Sequence, residues 1–190
     1  MGGGHGDRIC GGGADLRIGV LISGNGTNLQ ALIDAGDIEI ACVVSSRPDA
    51  PGIQRAERAA IPVLATTDEH DTAAFLEQHE VELVVLAGYM QILTPGFLAR
   101  FPRGVINVHP SLLPAFPGRT AIADALAHGV RVTGVTVHRV DAGIDTGPIL
   151  LQEAVTVPYD DDALALEDRI HQVEHRLLVQ AVRDIRTQGR

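Results

Sequence analysis

Residues 106–118, INVHPSLLPAFPG, join two polar side chains to a loop that is rich in proline. Asn107 and His109 end an apolar, strand-like run, and residues two apart in a strand point to the same side. An Asn amide can donate a hydrogen bond to a developing oxyanion, and a His can donate or shuttle a proton. The pair therefore indicates oxyanion or acid–base chemistry, and the alternative is an Asn and a His that satisfy the backbone of a turn.

A carboxylate that could act with His109 lies further along the chain, in the segment VHRVDAGIDTGPILL. Asp145 stands among glycines just before a strand-like run, and Asp141 precedes it by four residues. A carboxylate beside a histidine orients the ring and stabilises its charged form. Solvated loop aspartates are common, so the sequence alone leaves the contact between Asp145 and His109 open.

The segment SGNGTNLQ follows the first strand-like run and is typical of an anion site. A glycine-rich turn that leads into a helix offers free backbone N–H groups and a favourable dipole, and Thr27 and Asn28 add side-chain donors. The segment is neither a G-x-G-x-x-G motif nor a Walker A motif, and the chain contains no Lys. We expect a monophosphate site, and the alternative is a tight turn in which Asn or Thr caps the helix.

Metal-ligand spacing occurs once in the C-terminal part, where His171 and His175 stand four residues apart on a helical pattern. Gln172 occupies the place of the Glu in an H-E-x-x-H motif, so a solvated or hydrogen-bonded helix face is the better interpretation. Cys10 and Cys42 show no zinc spacing and suit a reducing compartment. We expect no metal and a cytoplasmic location.

The elements that must position these residues alternate along the chain. Strand-like runs occur at 16–23, 38–45, 61–66, 81–88 and 104–109. Helical patterns lie between them, ending near 35 and covering about 55–60, 71–79 and 95–100. Continuous apolar strands that alternate with helices predict a mainly parallel sheet covered on both faces. The carboxyl ends of such strands form the ligand crevice of open α/β sheets.

The pattern changes after a helix at 121–128. Two strand-like runs, 132–140 and 148–157, are separated by only seven residues, which is too short for a helical crossover. These strands therefore pair antiparallel or splay apart. A last helix begins near 161, with Leu166, Ile170, Val173 and Leu177 on one apolar stripe and three Asp residues at 160–162 near its N-terminal end. We predict one α/β domain over 16–190.

The composition limits the classes of partner that the chain can bind. With 190 residues and 45% hydrophobic residues, the chain fits one globular domain. A formal net charge of −9 argues against nucleic acid or an anionic membrane surface as a partner. No apolar run has the length of a membrane span, and residues 1–15 form a glycine-rich segment that we expect to be a disordered leader.

Four segments, taken in order, resemble the phosphoribosylglycinamide formyltransferase family. They are LISGNGTNLQALID, LVVLAGYMQIL, INVHPSLLPAFPG and GVTVHRVDAGIDTGPILLQEAVTV, and the resemblance covers nearly the whole chain from Leu16. It implies a parallel sheet that gains antiparallel strands. The catalytic residues that it implies are Asn107, His109 and Asp145. The implied substrate-binding residues are Gly24, Asn25, Gly26, Thr27, Asn28, Pro110, His171 and Glu174. The implied folate-binding residues are Met90, Gln91, Ile92, Leu93, Val140, Asp141, Ala142, Gly143 and Ile144.

The resemblance implies transfer of a formyl group from 10-formyltetrahydrofolate to the amine of 5-phosphoribosylglycinamide, in purine biosynthesis and without a metal. The chain differs from many relatives at four positions: Gln91 replaces Arg, Ile122 replaces His, Arg139 replaces an aromatic residue and His171 replaces Gln. The alternatives are a 10-formyltetrahydrofolate hydrolase, another formyltransferase, and a non-catalytic nucleotide-binding module. Both a monomer and a homodimer remain open.

Overall fold

The computed structural model describes residues 16–159 and 162–188, so the leader predicted over 1–15 lies outside the described residues. The strands in this part of the chain are β1 Arg17–Ile22, β2 Glu39–Ser45, β3 Val63–Ala65, β4 Leu83–Leu86, β5 Val105–His109, β6 Val132–Arg139 and β7 Ile149–Thr156. The helices are α1 Thr27–Asp34, α2 Gly52–Arg58, α3 Glu69–Gln78, α4 Pro95–Leu98, α5 Ala121–Ala127 and α6 Ala163–Gln188.

The strands form one sheet in the order β3-β2-β1-β4-β5-β6-β7. The first five of these strands run parallel, and β6 and β7 are antiparallel to their neighbours. The predicted α/β fold is confirmed, and the two strands after α5 pair rather than splay apart. The chain leaves β1 toward one edge and returns on the other side at β4. Ligand crevices form at such a change of direction, beside the carboxyl ends of the strands.

Apolar residues fill both faces of the sheet. One face packs against α1, α2 and α6, and the predicted α6 stripe of Leu166, Ile170, Val173 and Leu177 is buried there. The other face packs against α3 and α4 through residues such as Leu76. Burial on both faces explains why the strand sequences are continuously apolar.

The starts of three helices differ from the predictions. Helix α2 begins at Gly52 rather than Arg55 and ends at Arg58, because Ala60 turns to a left-handed φ of 55° and the N–H of Ile61 bonds back to the Ala56 carbonyl oxygen. Helix α3 begins at Glu69 because the Asp68 side chain caps it by accepting from the Asp71 N–H.

The third difference concerns the last helix, which begins at Ala163. Asp162 accepts a bond from the Ala165 N–H at 2.8 Å, as expected for an acidic residue at a helix N-terminus. Residues 160 and 161, which the sequence also placed at this end, lie outside the described residues.

Candidate active site

A cleft of about 450 Å³ lies at the carboxyl ends of β1, β4 and β5. Its walls come from the loops after these strands, from the chain between β6 and β7, and from one face of α6. Every predicted site residue lines the cleft except Ala142, which is exposed in the same loop as its neighbours. The volume is within the usual range for a small-molecule site.

The three predicted catalytic residues meet at the centre of this cleft. The Nδ1 atom of His109 lies 3.4 Å from Asp145 Oδ2, although 36 positions separate the two residues. Asn107, two residues before His109 on β5, lines the same cleft. Asp145 has a left-handed φ of 54°, a conformation that Asp tolerates better than most residues, at the turn that brings its carboxylate to His109. The structure thus shows the contact between His109 and Asp145 that the sequence left open.

His138 is a fourth member of this group, and sequence reasoning did not assign it. It is 2% exposed, and β6 places it directly across from Asn107 on β5. His138 Nδ1 donates to the Arg139 carbonyl oxygen at 2.8 Å, while Nε2 lies 3.3 Å from Asn107 Nδ2 and 3.5 Å from Asp145 Oδ1. The Asp145 carboxylate therefore bridges two buried histidines. The antiparallel register of β5 and β6 shows this contact, which the position of His138 in the segment VHRVDAG does not.

The electrostatics of Asp145 favour the ionised carboxylate. Partial burial opposes ionisation, but the hydrogen bond from His138, the bond from the Gly118 N–H and the charge of His109 outweigh it. The pKa of Asp145 is consequently lowered from its usual value. A carboxylate that stays ionised can orient a histidine and hold its proton in place.

Hydrogen bonds with residues of β6 and β7 hold the loop after β5 in place. The Thr136 hydroxyl on β6 donates to the Ser111 carbonyl oxygen at 2.7 Å and accepts from the Leu113 N–H at 3.1 Å. Gln152 on β7 donates to the Leu113 carbonyl oxygen and to the same hydroxyl, both at 2.9 Å. Strands β6 and β7 thus fix the path of the proline-containing loop beside His109.

The glycine loop, defined as residues 24–28, forms one end of the cleft. Gly26 is the N-cap residue of α1, with a left-handed φ of 68°, and it has no side chain to cap the first turn. The capping alternative from the sequence is therefore wrong, because Thr27 and Asn28 already belong to the helix. The first N–H groups of a helix without a side-chain cap are available to an anion.

Helix α2 clamps the glycine loop from the side opposite the cleft. The Gly52 N–H donates to the Gly24 carbonyl oxygen at 3.0 Å, and Arg55 Nε donates to the Asn25 carbonyl oxygen at 2.8 Å. A Cβ atom on Gly52 would lie 2.7 Å from Ile22 Cδ1 and 3.0 Å from the Gly24 carbonyl oxygen, so any other residue there would force these neighbours to move. In a trans peptide the N–H points opposite to the C=O. Binding both carbonyls to α2 therefore turns the following N–H groups away from α2. The sequence analysis missed both α2 residues.

Helix α6 closes this end of the cleft with a buried carboxyl group. Glu174 is 5% exposed and accepts a bond from Asn28 Nδ2 at 3.0 Å. Burial raises the pKa of Glu174, and it outweighs the opposing effects of the Asn28 bond and the charge of His171. Among the described residues, the buried Asn28 Oδ1 has no hydrogen-bond partner. The pair therefore presents acceptor oxygens that suit the hydroxyl groups of a ligand.

The other end of the cleft consists of two exposed loops, residues 90–93 and 141–144. Met90 and Ile92 are 47% and 76% exposed, and Leu93 is buried beneath them. The Met90 N–H donates to the Ser23 hydroxyl at 2.9 Å, which ties the first loop to β1. Asp141 Oδ1 accepts bonds from the Gly143 N–H and the Thr146 hydroxyl, so the second loop is held by its own side chains. This end offers apolar side chains and backbone groups to a flat, partly apolar ligand.

His171 and His175 stack with ring centroids 6.2 Å apart, and His171 Nε2 lies 3.8 Å from Glu167 Oε1. Among the described residues, these side chains do not form a group of three with all ligand atoms close together. Within the described part of the chain, the one group with metal-ligand geometry is the exposed set Asp68, His70 and Asp71, which lies outside the cleft. The absence of a metal from the reaction stays a prediction. None of the helices in the described ranges is long and apolar enough to cross a membrane.

Comparisons with known proteins show the family of this chain. The family model described as Formyl transferase matches residues 16–182. The chain is 47% identical to a phosphoribosylglycinamide formyltransferase of Mycobacterium tuberculosis, over 93% of this chain and 87% of that protein. It is 42% identical to the enzyme of the same name from Bacillus subtilis, over 83% of this chain and 88% of that protein. The crystal structure of glycinamide ribonucleotide transformylase 1 from Symbiobacterium toebii superimposes with a TM-score of 0.88 at 44% identity, covering 91% of this chain and 88% of that one.

Proposed function

Because the chain belongs to the formyl transferase family, we propose that it transfers a formyl group from 10-formyltetrahydrofolate to the amine of 5-phosphoribosylglycinamide. The proposal needs two small-molecule substrates and no metal, nucleic acid or membrane partner, and it places the enzyme in the cytoplasm. The observation that carries it is the Asp145 carboxylate, which lies between His109 and His138 at the centre of a cleft with two different ends.

The two ends suit the two substrates. The substrate phosphate binds the N–H groups of the glycine loop, and the ribose hydroxyls donate to Glu174 and Asn28 Oδ1. These assignments are supported by the uncapped start of α1 and by the buried acceptors beside it. The folate binds between residues 90–93 and 140–144. Its formyl group and the substrate amine then meet beside Asn107 and His109.

In the proposed reaction the amine nitrogen attacks the formyl carbon, and the electrons of the carbonyl bond move to the oxygen. The Asn107 amide donates to this oxyanion, and the charged ring of His109 stabilises it. In this structure His109 Nε2 donates to the Phe116 carbonyl oxygen at 2.9 Å, so donation to the oxyanion requires exchange of that bond. One well-placed oxyanion donor typically contributes about 3 to 4 kcal/mol to the transition state.

The intermediate collapses when the bond from the formyl carbon to N10 of the folate breaks. The attacking amine loses a proton and N10 gains one, and Asp145 relays this proton through water while it holds His109 charged. The bridging position of Asp145 and its lowered pKa support this role, because the relay begins from an ionised carboxylate. No covalent intermediate with the enzyme is required.

A direct test incubates the purified protein with 10-formyltetrahydrofolate, with and without 5-phosphoribosylglycinamide, and follows tetrahydrofolate and formylated product. We expect product to form only when the amine is present, in equal amounts with tetrahydrofolate. Release of tetrahydrofolate without the amine would instead identify a hydrolase. No turnover in either arm, together with binding of the ribonucleotide, would identify a non-catalytic module.

A further inference from the structure

The charges that line the cleft do not match the charges of the two proposed substrates. Four carboxyl groups line it, on Asp141, Asp145, Glu167 and Glu174. The whole chain carries a formal net charge of −9 and has no Lys. The ribonucleotide carries a phosphate, and the folate carries a glutamate with two carboxylates. The phosphate can bind N–H groups of the glycine loop, so a cation elsewhere in the cleft would favour binding of the glutamate carboxylates.

Among the described residues that line the cleft, Arg119 is the one Arg. Its Nη2 atom donates to the Met90 carbonyl oxygen at 2.5 Å, so the side chain spans from the loop after β5 to the loop after β4. Arg119 is exposed, and so are Met90, Gln91 and Ile92 beside it. The guanidinium therefore lies at the mouth of the cleft, where it keeps donors available to a ligand that approaches from solvent.

The backbone of Arg119 is fixed close to the reacting groups. The N–H of the preceding residue, Gly118, donates to Asp145 Oδ2 at 2.8 Å. In a folate the glutamate is attached across one benzoyl ring from N10, which carries the formyl group. With the formyl group at Asp145, the glutamate extends outward over a distance similar to the length of an arginine side chain. The Arg119 side chain covers such a span, since its main chain begins beside Asp145 and its guanidinium reaches Met90.

Resting on the function proposed above, we propose that Arg119 is a specificity-determining residue that binds the glutamate carboxylates of the folate co-substrate. Arginine suits this role because its planar guanidinium can bind a carboxylate through two parallel hydrogen bonds. The bond to the Met90 carbonyl oxygen holds the side chain at the mouth of the cleft and limits the ordering required when folate binds.

The test pairs a change in the protein with a change in the ligand. Equilibrium affinities are measured for 10-formyl-5,8-dideazafolate, a stable folate analogue, and for the matching pteroate analogue that lacks the glutamate. We expect Arg119→Gln to weaken binding of the folate analogue about fivefold to tenfold at low salt and to leave the pteroate analogue unchanged. Arg119→Lys should restore part of the affinity. The control, Arg131→Gln, changes an exposed arginine that does not line the cleft.

Equal weakening with both analogues would overturn the inference, because it would show that Arg119 only links the two loops. Unchanged affinity for both analogues would overturn it as well. These outcomes are distinct from failure of the proposed function, since the binding measurement does not depend on turnover. If the wild-type protein forms no product with the amine but Arg119→Gln weakens binding of the folate analogue alone, the proposed reaction fails and the role of Arg119 stands.

Discussion

The two ends of the cleft are built in different ways. At the end proposed to bind the ribonucleotide, the glycine loop packs against α2 through glycine-to-glycine contacts, and Glu174 beside it is 5% exposed. At the end proposed to bind the folate, residues 90–92 and 141–144 are exposed and are held by individual hydrogen bonds. The Ser23 hydroxyl and the Asp141 carboxylate accept from backbone N–H groups, and Arg119 donates to a backbone carbonyl. One end is shaped by backbone packing, and the other is shaped by side-chain links.

Because of this difference, the two ends of the cleft tolerate different substitutions. Close backbone packing cannot absorb an added methyl group, whereas an exposed loop held by side chains can. Asp145 belongs to the exposed loop by sequence but is half-buried between His109 and His138, so it joins the two ends. We therefore expect changes at this junction to have the largest effects and changes at the exposed loops the smallest.

The largest expected effect is that of Asp145→Asn at the junction. Loss of the carboxylate removes the group that contacts both His109 and His138 and that we propose relays the proton, so turnover should fall about 10²- to 10⁴-fold. Steady-state kinetics at saturating substrates measure this, with circular dichroism to verify the fold. Asp168→Asn, a change of an exposed carboxylate on α6, is the matched control. Turnover within about threefold of wild type would remove Asp145 from the mechanism.

Gly52→Ala should break the ribonucleotide end selectively. The new Cβ would lie 2.7 Å from Ile22 Cδ1 and 3.0 Å from the Gly24 carbonyl oxygen, so the glycine loop must move. We expect a loss of about 1–3 kcal/mol in the free energy of unfolding and at least a tenfold rise in KM for the ribonucleotide. Urea unfolding and kinetics check both. Gly96→Ala, where a Cβ meets its nearest neighbour at 3.7 Å, should be neutral.

Arg55→Met should weaken the same end without a steric clash. The change removes the donor to the Asn25 carbonyl oxygen and so loosens the orientation of the next N–H in the glycine loop. KM for the ribonucleotide should rise about threefold to tenfold, with KM for the folate unchanged. Arg58→Met on the same helix is the control, since Arg58 bonds to the Gln54 side chain instead. A parallel rise in both KM values would argue against a role confined to this loop.

The smallest expected effect is a difference in pH dependence between the two buried carboxyl groups. The pKa of Glu174 is raised, so the folded chain loses stability as pH rises above the usual carboxyl range. The pKa of Asp145 is lowered, so its contribution is present at neutral pH and is lost as pH falls through the folded pKa. Urea unfolding from pH 3 to 8 measures the free energy of unfolding of each variant. Glu174→Gln should raise this free energy relative to the wild type most at high pH. Asp145→Asn should lower it most at neutral pH. If the two substitutions changed the free energy of unfolding with the same sign, the opposite pH dependence of the two carboxyl groups would be contradicted.

Much of the site could be predicted from residue spacing. Alternation along β5 places Asn107 and His109 in one cleft, and the continuous apolar runs predict the sheet that carries them. The partnership of His109 with Asp145 was only a hypothesis from the sequence, because 36 residues and two strand pairings intervene. Contacts of that kind depend on strand register, which local patterns do not encode.

The residues that were missed act through packing or register. The position of His138 across from Asn107 depends on the pairing of β5 with β6 and on an irregularity between Val137 and His138 in the pairing with β7. Gly52 was missed because the predicted start of α2 was three residues late, and Arg55 was missed because its bond to the Asn25 carbonyl oxygen joins residues 30 positions apart. A glycine that permits close approach looks, in a sequence, like any glycine near a helix start.

The hydrogen bonds within the loop after β6 have a kinetic consequence. Asp141 already holds the Gly143 N–H and the Thr146 hydroxyl, so the folate meets a loop whose turn is formed rather than one that must fold around it. Association should then be a single fast phase whose rate rises linearly with folate concentration. Differences among folate analogues should appear in how long each remains bound. Asp141→Ala should introduce a slow phase that saturates with concentration, as the loop becomes ordered after the encounter.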